Sequence, residues 1–170
     1  MSEPVNYDRI CGTVASLLLL FSRIENEAHE IIEKADGSDR LNGVRGARGS
    51  LRAWRALILA DQESRPYEAK LADALWAQIQ GPLDIRNGVC HGLNGAFASR
   101  GDTQATLTWR VHGTTKRMTY NELQEVFAWL SRIPQAMSMI SHAVCETDVS
   151  KLRPLPELDF WATEFGIKLT

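Results

Sequence analysis

Cysteine is scarce here: three in 170 residues, at positions 11, 90 and 145, far apart and odd in number. Such a set builds no disulfide framework and shows no metal-binding spacing, so the chain is expected to be reduced and to hold itself together by its core. Lysine is scarce too, at five of the 19 basic residues, the other 14 being arginine, and the net charge is −2. A global basic field of the kind that marks many nucleic-acid binders is therefore missing. Arginine excess suits phosphate contacts, but it also follows from GC-rich coding. Long apolar runs are absent. The stretch from Ile10 to Phe21 is too short to span a bilayer. It has no basic leader or small-residue cleavage site, so it reads as part of a helix. A cytoplasmic protein with no membrane partner, no metal and no cofactor is the expectation.

What is present is ordinary globular material, with 44% hydrophobic and 24% charged residues. A chain of this length can bury roughly 70% of its unfolded surface in one core. Ile10, Val14, Leu17, Phe21, Ile24, Ala28 and Ile31 recur at spacings of four and three, the seam of a packed helix. Leu18, Leu19 and Leu20 widen that seam and suggest a second neighbour, such as another subunit. Residues 35–49 read as loop, and Ser50 predicts the cap of a second helix to about Ala60, with Leu51, Trp54 and Ile58 inward. Pro66 opens a third helix on Leu71, Leu75, Trp76 and Ile79. Gly81-Pro82 then makes Leu83 to His91 either a kinked continuation or a separate helix.

Asn94 to Asp102 reads as a loop, followed by a β-hairpin in which Leu107, Trp109 and Val111 alternate, His112-Gly113 turns and Lys116 to Met118 returns. Thr119-Tyr120-Asn121-Glu122 is a capping box before a long helix carrying Leu123, Val126 or Phe127, Leu130, Ile133, Met137, Ile140 and Val144, with a kink expected at Pro134. A tail from Lys151 predicts a docked segment ending in a short helix. The expected fold is mainly α: a four- to five-helix bundle over residues 1–150 with a short hairpin inserted before the last long helix, then the tail over 151–170.

The stretch richest in chemistry is Arg86-Asn87-Gly88-Val89-Cys90-His91, followed by Gly92. Arginine is a fixed cation whose donors fit phosphate, and histidine moves protons near neutral pH. Phosphodiester cleavage without a metal asks for that pairing. Asn87 and His91, four apart, share a helix face, whereas Arg86 and His91 lie roughly 140° apart around an ideal helix. Two routes unite them. A final turn loosened by Gly88 and closed by Gly92 lets the arginine fold back, or a two-fold dimer sets Arg86 of one subunit opposite His91 of the other.

Arg-Asn, three residues, then His-Gly near a helix end in a small bundle resembles the signature of the HEPN superfamily. These are compact helical domains, many of them prokaryotic ribonuclease toxins or antiviral effectors. The likeness extends loosely over about residues 5–145. It implies a metal-independent endoribonuclease with catalytic Arg86, His91 and Asn87 at a homodimer interface, RNA as substrate and an antitoxin protein as a possible partner. A polar residue on the first helix also belongs to the pattern, and Glu25, the one carboxylate in the column Cys11, Leu18, Glu25, Ile32, fills that supporting role. One departure stands out. Leu93 occupies the place where toxins silenced by a nucleotidyltransferase carry tyrosine, so that mode of control is not implied.

Simpler readings stand beside these. His91 can cap the helix end, Arg86 can pair with Asp84 or Glu25, Glu25 can be a rim charge, and Cys90 is expected to be a small buried thiol. Arg45, Arg48, Arg52 and Arg55 would form one row if the second helix began near Val44. The glycines at 43, 46 and 49 argue against that start, leaving Arg52 and Arg55 as the RNA-binding candidates or as a charged face. Trp109, with Arg110, Lys116 and Arg117 nearby, either stacks on nucleic acid or packs the hairpin down. His29, His112 and His142 have no second ligand near them in sequence. Two further functions compete with the nuclease: a catalytically silent HEPN-like module that binds RNA, a nucleotide or a protein, and a helical scaffold unrelated to nucleic acid.

Overall fold

The computed structural model describes residues 5–100, 104–111 and 113–169. The protein is mainly helical, and the described residues form two compact units. One comprises residues 1–20 and 81–130, the other residues 21–80 and 131–170. Helices α1 (Tyr7–Asp36) and α3 (Pro66–Gly92) each supply one end to each unit.

In the second unit, the expected seam of α1 is buried at Phe21, Ile24, Ala28 and Ile31. Helix α2 runs Gly46–Leu59. It starts earlier than the sequence predicts because Gly46 adopts a φ of 67°, a turn into the helix that a side chain would oppose. Ser50 is consequently not a cap. It is buried, with its hydroxyl 3.2 Å from Gly46 O and 2.7 Å from His29 Nε2. Trp54 is fully buried and its Nε1 donates to Ser141 Oγ at 2.8 Å. The segment predicted as loop also holds a 3₁₀ turn at Ser38–Leu41.

The tail belongs to the second unit. Helix α6 (Leu158–Phe165) buries Trp161 and Phe165 and closes on Gly166 in the left-handed conformation. Gly166 N reaches Ala162 O and Ile167 N reaches Trp161 O, satisfying carbonyls the helix end leaves open. Pro156 O accepts from both Tyr67 Oη at 2.9 Å and Trp161 Nε1 at 3.1 Å.

The first unit contains the sheet. Strands β1 (Leu93–Phe97), β2 (Thr106–Val111) and β3 (Thr114–Thr119) pair antiparallel in that order. The hairpin is where the alternation of Leu107 and Trp109 placed it, with Val111 opposite Thr114. Its turn has Gly113 at φ 80°, while His112 lies outside the described residues. The first part of the predicted loop, Asn94 to Phe97, is instead in strand β1, a third strand that its weak alternation conceals. A register shift between Leu93 and Gly95 breaks the pattern further.

Helix α3 is continuous through Gly81-Pro82. An interior proline costs about 3 kcal/mol, but Leu75, Ile79, Leu83 and Val89 are all buried along this helix, each worth about 1.5–3 kcal/mol. Glycine before the proline also spares the usual clash with its ring.

Pro134 acts more strongly than the expected kink. It separates α4 (Tyr120–Leu130) from α5 (Ile133–Cys145), where it sits in the first turn and no helical donor is missed. The capping box is formed: Thr119 N donates to Glu122 Oε2 at 2.7 Å and Glu122 N donates to Thr119 Oγ1 at 3.2 Å. The bond from the Thr119 backbone, joined by one from its hydroxyl, holds the Glu122 carboxyl below its ordinary range. A carboxylate with a depressed folded pKa stabilises the fold above its unfolded value of about 4.3 and loses that contribution as pH falls through the folded value. Thermal melts below about pH 4.3 should therefore fall less steeply for Glu122→Gln than for the parent.

Candidate functional site: the C-terminal end of α3

Two glycines of the motif seat the sheet on the helix. A Cβ on Gly88 would run into the indole of Trp109, and one on Gly92 would meet the carbonyl oxygen of Arg110. The sequence-based view of Gly88 as a loosener of the final turn is thus corrected: α3 stays helical to Gly92, and the missing side chain makes room for a ring. Gly12, in the same unit, is helical with open space around its missing Cβ. Gly12→Ala should stabilise by about 0.5–1 kcal/mol. Gly88→Ala should destabilise by about 1–3 kcal/mol, because a buried indole cannot swing aside cheaply. Urea titrations of the two variants check this opposition in sign.

Trp109 is 6% exposed, so it is a packing residue and offers no face to a base. Cys90, expected as a buried thiol, is exposed. It lies on the side of α3 away from Gly88, about 160° around the helix, where the sheet does not cover it. His91 is exposed in the last turn. Arg86 is half-buried and its Nη1 donates to Asn87 Oδ1 at 2.9 Å. Its Nε is buried and has no hydrogen-bond partner among the described residues. Asn87 thus holds the arginine with its oxygen, and its amide lies one turn before His91 on the same face. The chain joins Arg86 to Asn87 directly; Arg86 and His91 remain five positions apart on an unbroken helix.

Glu25 is half-buried on α1 and belongs to the second unit. The early start of α2 makes Arg48, Arg52 and Arg55 helical, with Arg45 at the N-cap. Arg52 is exposed, whereas Arg55 Nε contacts Asp73 Oδ1 at 2.6 Å, as expected of a charged face. A cavity of about 820 Å³ lies in the second unit beside His142, Glu146, Lys151 and Arg153 and is lined by no motif residue. His142 itself is engaged with the Lys151 carbonyl at 3.3 Å. Burial pushes the Cys145 thiol up, making it a poor nucleophile. Among the described residues no group of three or more His, Cys, Asp or Glu could hold a metal ion, and no helix there is long and apolar enough to cross a membrane.

Sequence reasoning missed Phe97. Placed in a presumed loop, it lies on β1 and is 57% exposed. Its signal was faint, an aromatic two residues beyond Gly95. Comparison of the chain with known proteins finds no matching family model, no similar curated protein and no similar solved structure.

Proposed function

We propose that this chain is a metal-independent endoribonuclease of HEPN type, with a composite site at a homodimer interface, acting as a toxin or antiviral effector under the control of a protein partner. The observation that carries the reading is the state of Arg86. Its guanidinium is held by Asn87, keeps an unpartnered buried donor, and stands on the same helix end as an exposed imidazole. Buried donors are nearly always satisfied, so an unsatisfied one asks for an explanation, and a catalytic role is one.

The chemistry follows from the groups. The RNA 2′-oxygen attacks the adjacent phosphorus as its proton leaves, and the bond from phosphorus to the 5′-oxygen breaks as that oxygen gains a proton. His91 serves one of these two transfers and solvent water the other. Arg86 offsets charge growing on the phosphate oxygens, and Asn87 keeps the guanidinium in place. Glu25, the first-helix residue to which the resemblance gives a supporting role, belongs to the other unit and is assigned no step here. Since one helix separates Arg86 and His91 by about 140°, twin helix ends meeting across a two-fold axis are the simpler way to present both to one phosphate. The helical bundle is then a HEPN-like scaffold.

The test is incubation of purified protein with single-stranded RNA in excess chelator. Products ending in 2′,3′-cyclic phosphate and 5′-hydroxyl are expected; intact RNA at every pH near neutrality would overturn the reading.

A further inference from the structure

One face of the sheet turns away from α3. Leu107 and Trp109 are buried on the helix side, so Thr108 and Arg110, between and beyond them, project from the other. Residues directly paired across strands share a face. Thr108 is opposite both Gly95 and Arg117, and Arg110 is opposite Thr115. Phe97, two positions from Gly95, joins the same face. Its ring lies back over Gly95, with Cε2 and Cζ each 2.9 Å from where a Cβ would stand. The ring is laid down on the strand and still more than half exposed, while Arg110, Thr115 and Arg117 beside it are also exposed.

We propose that this outer sheet face is a binding platform for single-stranded RNA, with Phe97 stacking on a base and Arg110 and Arg117 contacting the backbone on either side. The proposal rests on the reading of the protein as an RNA enzyme and names its substrate class as single-stranded. Three features select that ligand. An exposed aromatic ring on a sheet is a surface every base can use, whatever its identity. The face is basic in a protein whose net charge is −2, and its paired rows contribute no carboxylate among the described residues. Glu122, which touches the rim through Thr119, is committed to capping α4. Duplex RNA keeps its bases stacked inside and offers the ring nothing to stack on. The platform also adjoins the candidate site, since the backbone of Arg110 abuts Gly92, the residue after His91.

Fluorescence anisotropy of a labelled oligouridylate tests this, with chelator present and in a His91→Ala background so that cutting does not interfere. Phe97→Ala should weaken binding about fivefold or more, and Phe97→Tyr should retain it. Arg117→Ala should weaken binding and lower the salt slope by about one. Phe97 and Arg117 are exposed, so matching circular dichroism spectra are expected for all variants. Binding within about twofold of the parent for both Phe97→Ala and Arg117→Ala overturns the platform. So does a Phe97→Ala variant that changes only the sedimentation coefficient, since the face would then be a subunit contact. The two readings fail separately. Cleavage by the wild type with no effect of these variants on binding removes the platform alone. Binding that responds to them without any cleavage by the wild type removes the nuclease alone.

Discussion

Trp54→Ala should leave the second unit close to unfolded at room temperature. Loss of a fully buried tryptophan costs about 3–5 kcal/mol, and the Ser141 hydroxyl that accepts from its Nε1 would be stranded in the core for about 1–3 kcal/mol more. The sum rivals the whole stability of a small domain, about 5–15 kcal/mol. The two contributions can be separated. Trp54→Phe keeps most of the apolar volume but strands Ser141, so adding Ser141→Ala to it should recover part of the loss. Urea unfolding followed by far-ultraviolet circular dichroism measures each variant. A double variant no more stable than Trp54→Phe would show that the hydrogen bond contributes nothing.

His91→Ala should reduce RNA cleavage about 10²–10⁴-fold, the usual worth of a positioned proton-transfer group. The residue is exposed on the last turn of α3, so the melting temperature should hardly move. Arg86→Ala should lose activity as well. Mixing the two inactive variants then distinguishes the routes by which one phosphate meets both groups. If each site takes Arg86 from one subunit and His91 from the other, half the re-equilibrated dimers carry one intact site of two. About a quarter of wild-type activity should return. No recovery from mixed subunits would place both groups within a single chain and end the composite-site reading.

Much of the architecture was readable from spacing because burial of an amphipathic face is a periodic property. The seam of α1 and the inward side of α2 carried such a signature, and the capping box at Thr119 was legible as a local motif. Strand β1 did not, since Leu93-Asn94-Gly95-Ala96-Phe97 has the composition of a turn and becomes a strand only because β2 lies beside it. Glycine misled twice for the same reason. Gly46 looked like a breaker and starts a helix by taking a positive φ, and Gly88 looked like a weak point and is a seat for Trp109. The proline at 82 was ambiguous in sequence because its cost is local while its compensation is distant.

The motif was visible as Arg86, Asn87 and His91, three residue types whose chemistry is theirs in any setting. Which of them touch was not visible. A helical wheel relates Asn87 to His91, and the folded chain ties Asn87 to Arg86 instead.

By itself the sequence determined the helices with regular seams, the capping box at Thr119 and the presence of a guanidinium and an imidazole near one helix end, because propensity, periodicity and side-chain identity belong to short stretches of chain. Tertiary structure alone decided the third strand, the burial of Trp109, the exposure of Cys90 and Phe97, and the unpartnered Nε of Arg86. Each of these depends on what a distant segment brings alongside, and no local pattern encodes the neighbour.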